Sequence, residues 1–72
     1  GNYASALTAF EQVMEPANAY NDVGYICLLE GKYAKAEYYF EQAVTLSPTY
    51  YEKAFENLKL AQRLRDSQVS QR

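Results

Sequence analysis

The 72 residues include no Trp and no His, one Cys, two Pro and three Gly. Each scarcity removes a class of explanation. Without His, and with only one thiol, a zinc site and an activated cysteine nucleophile are both disfavoured. A lone Cys forms no internal disulfide, so no oxidising compartment is implied. No stretch of about 18 consecutive apolar residues occurs, so nothing is expected to span a membrane. No signal-peptide pattern is visible either. Because position 1 is Gly rather than Met, the expectation is an excised domain, and the missing targeting segment carries little weight. Gly and Pro are few and far apart, which makes them punctuation between elements rather than linker material.

What the chain does have is apolar and aromatic residues. Nearly half of it is apolar, with eight Tyr and three Phe, which excludes a disordered tail. A chain of this length holds one small domain, here 1–72, and buries only about 60% of its unfolded surface. The net charge of −2 gives no reason to expect nucleic acid or an anionic membrane as partner. Charge is unevenly spread. Residues 1–31 carry Glu11, Glu15, Asp22 and Glu30 and no cation, because Lys and Arg begin at Lys32.

The chain repeats itself. Laid over Gly31 to Ala43, the segment Gly1 to Val13 matches at Gly1, Tyr3, Ala4, Ala6, Phe10, Glu11 and Gln12. Tyr33, Ala36, Phe40, Ala43 and Val44 fall on one stripe of an α-helix, and Tyr3, Ala6, Phe10, Val13 and Met14 trace the same stripe. Between the copies, a segment from about Ala17 to Glu30 carries Tyr20, Val23, Gly24 and Cys27 on one face. Pro16 suits its start and Gly31 its end. Glycine inside a helix costs about 1 kcal/mol against Ala, so Gly24 implies a neighbour too close for a β-carbon. A fourth segment follows Pro48, with Ala54, Leu58, Ala61 and Leu64 on one side. Short turns between these segments favour antiparallel neighbours. The fold class expected is all-α, an antiparallel helix-turn-helix repeat array of about four helices.

These residues resemble the tetratricopeptide repeat (TPR) family, whose pattern is W-x2-L-G-x2-Y, then A-x3-F, then P. Here it reads Tyr20-x2-Val23-Gly24-x2-Cys27, then Ala36-x3-Phe40, then Pro48. The resemblance implies the second helix of a first repeat over 2–14, a full repeat over 17–47 and a C-terminal capping helix over 51–67. The copies lie 30 residues apart where the family has roughly 34, so the first helix is expected to be a turn short. Aligning Phe55 with Tyr20 and Leu58 with Val23 sets Lys59 where the repeat has Gly24, which argues against another tightly packed helix there. Residues from Ser67 onward are expected to fray. More narrowly, Asn21-Asp22-Val23-Gly24-Tyr25 and Ala54-x2-Asn57-Leu58-x-Leu60-Ala61 resemble the TPR lipoproteins of tight-adherence (Flp) pilus assembly. That resemblance implies a bacterial envelope or periplasmic setting; without it, the cytoplasm.

The family resemblance also implies a concave surface lined by the first helix of each pair. It maps to Asn18, Asn21, Asp22, Tyr25 and Leu29 in the middle, with Lys53, Asn57 and Leu60, and further Glu56 and Leu64, in the last helix. Asn amides can hold a partner's backbone, while Tyr and Leu supply apolar anchors. Tyr3, Tyr20 and Tyr33 are expected in the seam between helices. Tyr25, Tyr38, Tyr39, Tyr50 and Tyr51 lie off the stripe and stay open between seam and binding surface. Cys27, on the buried stripe, reads as an inert core thiol. Glu11, Glu37, Glu41 and Glu56 read as solvated surface. No catalytic set, metal site or cofactor site is found, so the expected function is capture of a partner peptide or helix, not catalysis. The alternative is structural: two copies pairing as a homodimer, or a slice of a longer array.

Overall fold

A computed structural model of the chain describes residues 2–47, 49 and 51–70. Four helices follow in order: α1 (Tyr3–Glu11), α2 (Pro16–Leu29), α3 (Tyr33–Leu46) and α4 (Glu52–Ser70). Among the described residues there is no strand. Gly1, Pro48 and Tyr50, which enter the sequence argument above, lie outside them.

Local chemistry explains the boundaries. The Asn2 side chain caps α1 by accepting from the Ser5 amide at 3.1 Å. The helix stops at Glu11 and passes into a turn, where the amides of Val13 and Met14 both donate to the Phe10 carbonyl. Pro16 opens α2, where a first-turn residue has no amide bond to lose. Its exit is made by Gly31, the positive-φ glycine at 77°. The Lys32 amide donates to the Cys27 carbonyl at 2.9 Å and the Gly31 amide to Leu28 at 3.1 Å. That pair of bonds is the Schellman closure, and its left-handed residue favours glycine.

The core runs along the α2–α3 pair, the tightest in the molecule. Val23 and Cys27 of α2 and Ala36, Phe40 and Ala43 of α3 are fully buried. Gly24 meets its expectation: a β-carbon there would lie 2.6 Å from Cε1 of Phe40. The ring occupies the space a side chain would need. α1 covers one side of this pair through Tyr3, Ala6, Leu7 and Phe10. α4 covers the other through Ala54 and Ala61, both fully buried. The result is a slab measuring 39 × 28 × 13 Å, little thicker than one layer of helices.

Three expectations need correction, and Tyr39, left open by the sequence, finds its place. α1 ends at Glu11 rather than at 14, so Val13 falls in the turn and stays 79% exposed instead of extending the stripe. α4 runs on through Ser67 to Ser70, because no glycine or proline interrupts it there. Tyr39 is a seam residue. Its ring lies 6.4 Å from Tyr3 and 6.0 Å from Tyr20, joining α1, α2 and α3. Glu37 is not solvated: its carboxylate is largely covered and pairs with Arg65 of α4.

Candidate protein-binding groove

α3 packs against both α2 and α4, which themselves touch only lightly, and polar residues of α2 that reach α4 define a surface between those two. Asn57 Nδ2 donates to Asn21 Oδ1 at 3.1 Å. The Tyr51 hydroxyl donates to Asn18 Oδ1 at 2.9 Å. Burial, with the Asp22 carboxylate nearby, pushes the Tyr51 hydroxyl above its ordinary range. Residues more than thirty positions apart are thereby held within hydrogen-bond reach.

Beside these bonds is a recess of about 320 Å³ lined by Asn21, Asp22 and Tyr25 from α2 and by Lys53 and Asn57 from α4. Five of the eight residues assigned to the groove from sequence meet there. They are not equivalent. Asn21 is 6% exposed and its oxygen is taken by Asn57, so it is largely part of the wall. Asp22, Tyr25 and Lys53 are exposed and free to meet a partner. Tyr25 presents half its surface to solvent. The recess therefore offers an aromatic face, one carboxylate, one ammonium and a carboxamide within a small volume.

The other three stand apart from it. Asn18 belongs to a second, larger recess of about 490 Å³, between the start of α2 and the chain that leads into α4, where Leu46 and Tyr51 also contribute. Leu29 is 70% exposed near the end of α2 and lines neither recess. Leu60, half-buried on α4, lines neither as well. Of the two further residues, Glu56 is exposed, while Leu64 sits beside Tyr33 in a shallow pocket shared with Ser67 and Gln68. The sequence does not single out Leu46, and it leaves Tyr51 open between seam and binding surface. Helical periodicity carries no signal for a contact made by a loop residue across 33 positions.

Residues 17–50 match the tetratricopeptide repeat family model, a stretch that takes in α2 and α3 and just under half of the chain. The fold is a TPR-like helical repeat. Neither a curated protein nor a solved structure matches the chain. TPR units mediate protein–protein interaction, so the groove just described lies on a fold used for binding other chains.

The remaining chemistry of the helical core is structural in character. Cys27 is fully buried, and burial is the main cause that pushes its thiol up, with the Glu30 carboxylate adding to it. Tyr3 donates its hydroxyl to Glu30, and this bond is the main reason its pKa is pushed up to about 12. Among the described residues, no three His, Cys, Asp or Glu side chains come together as a metal site would need, and no helix is long and apolar enough to cross a membrane.

Proposed function

We propose that the chain is a non-catalytic interaction module, and that the recess between α2 and α4 takes a peptide or helix from a protein partner. One observation carries this reading: Asp22 and Tyr25, exposed on one helix, converge with exposed Lys53 on another around a common hollow. Opposed charges flanking an aromatic ring give orientation as well as contact area. Exposed Leu29 extends the apolar surface along α2. The partner named by this reading is a protein rather than a nucleic acid, in keeping with the net charge of −2.

Peptides selected against the chain from a random display library test it. Selected binders should lose about tenfold or more in affinity for Tyr25→Ala, the scale of one good apolar anchor, while the melting temperature stays put. Binders indifferent to both Tyr25→Ala and Asp22→Ala would place the binding surface elsewhere. Asn21 is unsuited to this test because its removal also breaks the bond to Asn57.

Within the same reading, a component of a bacterial pilus or secretion assembly is one partner class, and the envelope is the matching compartment. What supports it is the string Asn21 to Tyr25. The second string supplies less, since Ala54 and Ala61 are buried packing residues.

A further inference from the structure

The recess between α2 and α4 holds two opposed charges that do not satisfy each other. Asp22 on α2 and Lys53 on α4 are both exposed and line the same hollow of about 320 Å³. Among the described residues, the ion pairs are those of Arg65 with Glu37 and with Asp66. Asp22 and Lys53 therefore face one cavity from its two walls without bridging it. No Lys or Arg precedes Lys32, so α2 itself offers Asp22 no counter-charge.

Tyr25 follows Asp22 by three positions and so shares its face of α2. A cation brought to the Asp22 carboxylate meets this half-exposed ring as well. The chain uses such contacts elsewhere. The Lys32 and Lys35 ammonium groups sit 5.6 Å and 5.2 Å from the centre of the Tyr3 ring, and that of Lys59 sits 5.5 Å from the Phe55 ring.

The size of the hollow limits the form of its occupant. Less than one turn of a helix about 10–12 Å across fits into about 320 Å³. The Asn57–Asn21 bond, at 3.1 Å, ties the two walls together and keeps them from spreading. An extended chain is slimmer, and its successive side chains point to opposite sides. Two adjacent residues of such a chain address α2 and α4 at once.

Building on the groove reading, we propose that the recess takes an extended protein segment with two adjacent side chains of opposite charge, the cation set on Asp22 and the Tyr25 ring, the carboxylate on Lys53. A segment charged with one sign alone meets one attractive and one repulsive contact, so the pair also selects among partners.

Peptides selected against the intact chain from a random display library, then synthesised, are the probes. Those that need Tyr25 should carry adjacent residues of opposite charge. Asp22→Lys combined with Lys53→Glu should weaken them about tenfold or more, and exchanging the two charges in the peptide should restore binding to that variant. Asp22→Asn and Lys53→Gln, which only remove charge, should each weaken binding with an unchanged helical spectrum. A proline beside the charged pair should be tolerated, since an extended chain accepts it where a helix interior does not. Tyr25-dependent peptides that lack the pair, or that bind the charge-swapped variant unchanged, would overturn the pairing while the groove reading stands. So would loss of binding to proline at every position. Binders indifferent to Tyr25→Ala and Asp22→Ala alike would overturn both.

Discussion

The α2–α3 pair and the seat of α4 are made of different materials. Between α2 and α3 the contact is dry: Val23, Gly24 and Cys27 meet Ala36, Phe40 and Ala43, and no side-chain hydrogen bond among the described residues links the two helices. α4 brings two small buried residues, Ala54 and Ala61, and then a set of polar ties. Asn57 reaches Asn21, Tyr51 reaches Asn18, and Arg65 reaches Glu37. Interlocking shapes define a position closely by themselves, whereas alanines against a helix leave it free to slide. Directional bonds supply the missing register. The dry seam thus makes the fold, and the polar ties set how α4 stands against α2, and with it the form of the recess.

The comparison breaks first at Gly24. Gly24→Leu would force a branched side chain into the ring of Phe40, and a loss of about 3 kcal/mol is expected, enough to unfold a domain this small. Combining it with Phe40→Ala exchanges large for small across the seam. Recovery of part of the melting temperature in the double variant, followed by circular dichroism, would identify shape as the determinant. Equal damage in single and double variants would mean that the seam does not work by interlocking.

Asn57→Ala acts on the other material. It leaves the Asn21 oxygen, in a residue only 6% exposed, without its donor, at a cost of about 1 kcal/mol. The expected signature is a modest drop in melting with a larger drop in affinity for groove-selected peptides. A variant with normal affinity would show that α4 keeps its place without this bond.

The smallest effect is expected at the α1–α2 joint and appears only in alkali. Tyr3 is shifted from 10.0 to about 12, chiefly by the bond it donates to Glu30, so the folded chain holds the proton more tightly than the unfolded one. The stability contributed by that bond is complete below pH 10 and is lost as pH rises toward 12. Chemical denaturation at stepped pH should show this decline, and Tyr3→Phe should remove it. A decline of equal size in Tyr3→Phe would assign it to other groups.

These contrasts also explain what the sequence disclosed. Gly24, the repeated stripe and the four-helix pattern were legible because close packing leaves periodic marks in residue size and polarity. Asp22, Tyr25 and Lys53, which line one recess, are grouped in the sequence only through the family resemblance, which supplies the rule for which helices face the concave side. Asn21 was read only in part: its position on the groove wall follows from that rule, but its engagement by Asn57 is a tertiary contact. Glu37 was read as solvent-facing because a carboxylate beside a stripe usually is, and its partner Arg65 lies 28 positions away. Val13 was taken into the helix because the echo in 31–43 continues there. The local turn after Glu11 decided otherwise.

Cys27 gives the dry seam a clock of its own. It is the chain's one thiol, fully enclosed between α2 and its neighbours, and held in the protonated form by burial. A thiol reagent in excess can reach it only when the helices part, so each modified molecule records one opening. In a slab this thin, the breathing of the interior is thereby readable from the native chain, with no label introduced and no residue changed.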